Sequence, residues 1–314
     1  MQVIYPEISA YDQCLLSVNG GHAIYLEQSG NPEGLPVIFL HGGPGSGCNE
    51  NHRRYFNPGK YRIIIFDQRG CHRSTPQGGI ENNTTHDLIR DMEQIRNHLS
   101  IDKWLVFGGS WGATLGLLYA EAYPQHVTGM VLRGAFLARG VDLDWFVRAG
   151  VNRIFPDYWQ DFSGIIPVAE RGDLVAAYYM RVIEGDRATR EKYARAWSQW
   201  AGRVVTYTLQ DAQEEEEINT IINRVSIESH YARNRYFISE NRILTDIKNI
   251  PEVPIIIIHG RRDLTCPLES SWLLHQALPE SEFIIVKEAG HLAGEPLMID
   301  ALVSATDRMA SLLS

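Results

Sequence analysis

Trp104-Leu105-Val106-Phe107-Gly108-Gly109-Ser110-Trp111-Gly112 is the stretch on which the reading of the chain turns. Its first four residues make a short buried strand. Ala113 to Tyr123 has helical spacing, with Leu115, Leu118 and Ala122 on one face and Pro124 closing it. Ser110 stands between them on a sharp strand-to-helix turn, the setting of a nucleophile elbow. Such a turn strains the nucleophile's backbone, and the flanking residues must be small for helix and strand to approach each other. Gly108 and Gly112 meet that need. A glycine-rich surface turn is the bland alternative for the pentapeptide alone, and the strand and helix around it argue against that reading.

Upstream, His22 to Gln28 alternates loosely, Ser29 to Gly34 makes a turn, and Pro36-Val37-Ile38-Phe39-Leu40 is a continuous apolar run. This pattern predicts a hairpin edge leading into a buried strand. The loop His41-Gly42-Gly43-Pro44-Gly45-Ser46-Gly47 follows directly. It lacks the lysine and Ser/Thr of a phosphate loop, and no G-x-G-x-x-G opens a helix. A glycine-rich loop at a strand end can instead aim a bare N–H at a developing oxyanion, the second donor being the N–H of Trp111 just after the nucleophile. Tyr61 to Phe66 predicts another strand, ending in Asp67-Gln68-Arg69-Gly70, where Asp67 reads as a structural ion pair and turn former. Thr85 to His98 reads as a helix buried along Leu88, Met92, Ile95 and Leu99, and Val127 to Leu132 as the next strand. The β-α-β-α order implies an α/β fold with a mostly parallel sheet and right-handed crossovers.

From about Ala138 to Lys248 strand-like runs vanish and aromatic, charged helical text takes over. The expected organisation is a core in two parts, 1–137 and 249–314, with a helical cap at 138–248 covering the mouth above the strand ends. Glu214 to Glu217, inside the cap, reads as a solvated helix face. Strands return at Val253 to Ile258, followed by His259-Gly260-Arg261-Arg262-Asp263, and at Phe283 to Val286, followed by Glu288-Ala289-Gly290-His291. Ser110, Asp263 and His291 then stand in the nucleophile, acid, base order of an α/β-hydrolase. Singly, His291 serves as well as a core or capping histidine, and Asp263 as a turn former. Joined to the elbow and the glycine-rich loop, they make a catalytic triad. His259 and His41 are the competing bases; His259 is expected to pack beside its loop and His41 to order the turn it opens.

The bulk composition is that of an ordinary soluble protein: 314 residues, 44% hydrophobic and 21% charged, enough for a large core and an insertion. A formal charge of −9 argues against nucleic acid or an anionic membrane as partner. The first residues carry no basic region followed by a long apolar one, and no run approaches the ~20 residues of a membrane span, so a cytoplasmic location is expected. Cys14, Cys48, Cys71 and Cys266 are scattered without metal-site spacing, and are expected to be reduced thiols. No cofactor is implied.

His41-Gly42-Gly43-Pro44-Gly45, Asp67-Gln68-Arg69-Gly70, Gly108 to Gly112 with Trp111, Arg133-Gly134-Ala135-Phe136, Asp144-Trp145-Phe146 and Asp263-x-x-Cys266-Pro267 together resemble the proline iminopeptidases (prolyl aminopeptidases) of the α/β-hydrolase superfamily. The likeness runs over nearly the whole chain. It implies Ser110 as nucleophile, His291 as base and then acid, Asp263 as the carboxylate orienting the imidazole, and Gly43 and Trp111 as oxyanion donors. It also implies a proline ring held by Phe136, Phe146 and the Thr265-Cys266 segment. Cap carboxylates would bind the substrate's ammonium, a charge-assisted bond that an enzyme removing one N-terminal residue requires.

Glu228 matches one of the family's two glutamates, but the other, expected after Trp200, is Ala201, and an aromatic expected after His230-Tyr231 is Ala232. A missing charged hydrogen bond is worth about 1.5 to 3 kcal/mol, or about one to two decades in rate if it forms mainly in the transition state. Arg133, a partner for the absent glutamate, would then favour an anionic or carbonyl-bearing ligand. The expected function is therefore a serine aminopeptidase releasing N-terminal proline from short peptides. The alternatives are an esterase or amidase for small acyl compounds, and a ligand-binding protein on a hydrolase scaffold. Cys266, close to the expected pocket, suggests sensitivity to thiol reagents.

Overall fold

The computed structural model describes residues 3–206 and 216–314. The first half of the chain runs β1 (Ala10–Ser17), β2 (Ala23–Gly30), β3 (Leu35–Leu40), β4 (Tyr61–Phe66), α1 (Thr85–His98), β5 (Trp104–Gly109), α2 (Trp111–Ala122) and β6 (Val127–Arg133). Helices α3 (Gly140–Val147), α4 (Pro156–Gly164), α5 (Leu174–Glu184), α6 (Arg187–Thr206), α7 (Ile218–Arg233) and α8 (Arg242–Thr245) follow. The sheet resumes with β7 (Ile255–Gly260), α9 (Leu268–Ala277), β8 (Glu282–Val286) and α10 (Pro296–Leu312).

The eight strands form one sheet in the order β1-β2-β4-β3-β5-β6-β7-β8. The pairings β1 with β2 and β2 with β4 are antiparallel, and every other pairing is parallel. The apolar runs of the central strands are continuous because both faces are covered. On β4, Ile64 and Phe66 join the core beneath α1 and α2, while Ile63 and Ile65 join the opposite core beneath α10. Each of those isoleucines is fully buried, a gain of about 1.5–3 kcal/mol per side chain.

The sequence periods locate the inner strands and α1 to within two residues. The antiparallel edge strand β1 went unread: its exposures alternate irregularly, and Tyr11 and Leu15 face outward. The expected strand at Val253 to Ile258 begins only at Ile255, because Pro254 has no N–H for the ladder. Pro254 still accepts a bond from Met130 N through its carbonyl.

Between β6 and β7 all described regular elements are helical, with a core of their own around Phe162, Tyr178, Trp197 and Trp200. Phe162 stacks on Tyr178 at 4.5 Å and on Trp200 at 5.4 Å. The acidic run departs from its expected helix face. Glu216 and Glu217 precede α7 outside any helix, near the helix's positive end, and Glu216 pairs with Arg224 at 2.6 Å. Glu214 and Glu215 lie outside the described residues. Among the described residues no helix is long and apolar enough to cross a membrane.

Candidate active site

Ser110 leaves the end of β5 and precedes the first residue of α2 with φ 57° and ψ −123°, a strained conformation for a residue with a side chain. The close packing that imposes it depends on its neighbours. A Cβ on Gly108 would lie 2.3 Å from the Gly112 carbonyl oxygen, and one on Gly112 would lie 2.1 Å from that of Leu40. Trp111 is the first residue of α2, where an N–H has no intrahelical acceptor. Its indole is fully buried and donates to Gln68 Oε1 at 2.9 Å, which anchors the turn to the loop after β4.

Asp263 and His291 come from the turns after β7 and β8. His291 Nδ1 lies 2.6 Å from Asp263 Oδ2, and Asp263 Oδ1 accepts from Thr265 N at 2.9 Å and Cys266 N at 2.8 Å. Burial pushes the Asp263 carboxyl up, but the neighbouring His291 and His259 and the backbone donor outweigh it and hold it below the usual carboxylate range. Gly134, at φ +54°, brings the backbone after β6 close to this pair. A Cβ there would be 3.2 Å from Asp263 Oδ2 and 3.4 Å from His291 Nδ1.

Both competing histidines have close partners of their own, although His259 Nε2 also lies 3.4 Å from Asp263 Oδ2. His259 is fully buried, with Nδ1 2.7 Å from Ser271 Oγ and Nε2 2.8 Å from the Cys266 carbonyl. His41 accepts from Gln68 N at Nε2, 3.0 Å away, and faces the Gly42 carbonyl with Nδ1 at 2.9 Å. Burial lowers the basicity of both rings. Asp67 is the structural acid expected of it, held by Arg73 Nε at 2.7 Å and Cys48 N at 2.7 Å.

Ser110 Oγ has Cys266 Sγ as its neighbour at 3.9 Å, and His291 Nε2 faces Arg133 Nη1 at 3.4 Å. No hydrogen bond joins Ser110 to His291 among the described residues; catalytic bonds of this kind commonly tighten only with substrate. Cys266 is buried at 2% exposure. Burial, with Asp263 beside it, pushes its thiol well above the ordinary value. A buried, protonated thiol reacts slowly, while Cys266 also lines the cavity over Ser110.

A cavity of about 1370 Å³ opens over Ser110. Gly43, Arg133, Phe136, Phe146, Ala201, Glu228, Thr265, Cys266 and His291 all line it with Ser110; Trp111 and Asp263 stand behind the wall. Glu228, on α7, accepts from Trp197 Nε1 at 2.8 Å and lies 3.6 Å from Arg224 Nη1. Burial raises its carboxyl, partly offset by Arg224 and Trp197. Ala201 contributes only a methyl to the same cavity, and Ala232 lines it where an aromatic was expected. Among the described residues no group of three or more His, Cys, Asp and Glu side chains is arranged to hold a metal ion.

Sequence reasoning missed the wall formed by Asn49, Asn51, His52 and Tyr55. These residues sit on or beside a 3₁₀ segment, Glu50–Tyr55, capped by Asn49. Its signal was present as an Asn cap before Glu50, but a single irregular turn has no period to detect.

Residues 36–295 match the family described as alpha/beta hydrolase fold. The chain is 46% identical over 310 residues to a proline iminopeptidase of Xylella fastidiosa (strain 9a5c), covering 98% of this chain and 99% of that one. It is 44% identical over 317 residues to a proline iminopeptidase of Arabidopsis thaliana, covering 99% and 83%. Among solved structures, VinJ superposes with a TM-score of 0.66 at 16% identity, over 98% of this chain and 100% of that one. A putative aryl esterase from Burkholderia cenocepacia gives 0.65 at 18% identity, over 96% and 100%. At those identities the structural likeness carries the fold alone, whereas the sequence likeness spans the whole chain. The protein belongs to the α/β-hydrolase fold family and, within it, to the proline iminopeptidases.

Proposed function

We propose that the protein is a serine aminopeptidase that releases N-terminal proline from short peptides through an acyl-enzyme. The observation that carries this reading is the meeting of two chemistries in one cavity: Ser110 and His291 at its floor, and the Glu228 carboxylate on the wall supplied by α7. The naming of the relatives supports the proline preference.

In this reading His291 takes the Ser110 proton at Nε2 as Oγ attacks the prolyl carbonyl, then gives it to the leaving nitrogen. A water repeats the sequence on the ester. Asp263 holds the imidazole by Nδ1 and stabilises its cation, at 2.6 Å. The N–H groups of Gly43 and Trp111 receive the oxyanion, a contribution worth about 2.7–4 kcal/mol per donor in comparable sites. Phe136, Phe146 and the Thr265-Cys266 segment hold the ring, and Glu228 binds the ammonium. The helices within 138–248 act as a cap that restricts entry to short chains.

Ala201 favours a second reading, in which the same triad serves as a small-molecule esterase or amidase that does not recognise an amine. Turnover of proline p-nitroanilide, its N-acetylated form and p-nitrophenyl acetate separates the two. The aminopeptidase reading expects the free amine to be preferred among the anilides. Equal turnover of both anilides, with the ester far ahead, overturns it in favour of the esterase.

A further inference from the structure

Arg133 closes β6 beside the reacting groups, and among the described residues no carboxylate pairs with it. Its guanidinium lies across Gly109, where an added Cβ would meet Nη2 at 2.4 Å, and Nη1 donates to the His291 carbonyl at 2.7 Å. The same Nη1 stands 3.4 Å from His291 Nε2, and the side chain lines the cavity over Ser110. Among the described residues it forms no ion pair. The nearby acids are committed elsewhere. Asp263 is bonded to His291, Thr265 N and Cys266 N, and Glu295 accepts from Gly290 N at 2.9 Å and Leu292 N at 3.3 Å.

The described acids on the cavity wall have nearer partners than Arg133. Asp142 pairs with Arg139, Glu216 and Glu228 with Arg224, and Glu217 accepts from Asn219. His52, stacked on Phe39 at 4.5 Å, is pushed by burial down to about 4 and adds no charge at neutral pH. Burial lowers the Arg133 guanidinium's basicity, and the more distant charges of Asp263 and Glu295 offset only part of that. A largely buried guanidinium with no directly paired carboxylate is costly, and a ligand anion relieves that cost.

We infer that Arg133 binds the α-carboxylate of the residue that leaves, so that dipeptides with a free C-terminus are the preferred substrates. This rests on the aminopeptidase reading. The leaving nitrogen must come within about 3 Å of His291 Nε2 to receive its proton. The α-carboxylate is two bonds further along, within reach of a cation 3.4 Å from that same Nε2. Guanidinium and carboxylate are matched for a charge-assisted, forked hydrogen bond. A longer peptide presents an amide at this point and keeps at most a neutral hydrogen bond. Glu228 for the ammonium and Arg133 for the carboxylate then read the two ends of a zwitterion.

The test compares kcat/KM for the dipeptide Pro-Ala with that for its C-terminal amide, Pro-Ala-NH2, in the wild type, Arg133→Met and Arg133→Lys. Taking the ratio of acid to amide cancels any general loss from disturbing His291. The expected ratio is about ten to a hundred in the wild type, near one in Arg133→Met, and intermediate in Arg133→Lys. A wild-type ratio near one overturns the inference without any variant, and so does a high ratio that survives in a folded Arg133→Met. Equal cleavage of both peptides leaves the aminopeptidase reading standing. Cleavage of neither removes both.

Discussion

Replacing Asp263 by Asn tests the triad through a single proton. Oδ1 accepts from two backbone donors, Thr265 N at 2.9 Å and Cys266 N at 2.8 Å, so only an oxygen can occupy that position. The amide nitrogen of Asn is therefore forced into the place of Oδ2, 2.6 Å from His291 Nδ1. There it donates, Nδ1 must accept, and the imidazole proton moves to Nε2, the atom that has to take the Ser110 proton. The wrong tautomer in an otherwise intact site costs about 10⁴ in kcat, equivalent to about 5.5 kcal/mol of barrier. The assay is steady-state turnover of proline p-nitroanilide near neutral pH, with near-UV circular dichroism and Tm to establish that the variant folds. A folded Asp263→Asn protein that loses less than about tenfold in kcat would refute the assignment and shift attention to His259, whose Nε2 is 3.4 Å from the same Oδ2.

Three further outcomes are expected. Ala201→Glu restores a carboxylate to the cavity wall and raises kcat/KM on proline p-nitroanilide by about one to two decades, with no gain on the N-acetylated form; an equal change on both means that position 201 does not face the amine. Gly112→Ala places a Cβ 2.1 Å from the Leu40 carbonyl oxygen, against backbone that cannot yield cheaply. It lowers stability by about 1–3 kcal/mol together with kcat, and a wild-type Tm would contradict the close packing at the elbow. For His52, the unfolded ring takes its proton near pH 6.5 and the buried one only near about 4, so its contribution to stability is complete above pH 6.5 and is lost as the pH falls through that window. Tm therefore declines from pH 6.5 toward 4, less steeply in His52→Phe; identical slopes would mean that the folded ring takes its proton over the same pH range as the unfolded one.

The parts of the molecule legible in the sequence are those with a local signature. Two-sided burial writes Ile63, Ile64 and Ile65 as one apolar run, the elbow requires Gly108 and Gly112, and the three candidate catalytic residues follow strands whose ends lie together on one edge of a parallel sheet. The illegible parts depend on contacts distant in the chain. Edge strand β1 needs β2 to define its register, and Glu27 of β2 is fixed at 2.7 Å by Arg53, which lies beyond β3 in the chain. His52 and Tyr55 reach the cavity because a 3₁₀ turn folds back over β5, where Phe39 and Phe107 stack at 5.4 Å. The pairing of Arg224 with Glu216 and Glu228 combines a helical i,i+4 contact with one from outside the helix, and only the first has a sequence spacing to reveal it.

The most direct test of the central claim is kcat/KM for proline p-nitroanilide in the wild type and in Ser110→Ala, both shown to fold with the same Tm. Loss of the nucleophile should remove about five decades or more of activity, leaving only what substrate binding and the oxyanion donors supply. Wild-type turnover of the free-amine substrate together with near-abolition in Ser110→Ala is the result the account predicts. Comparable activity in the two proteins would contradict it, because the hydrolysis would then proceed without the residue around which the fold is strained.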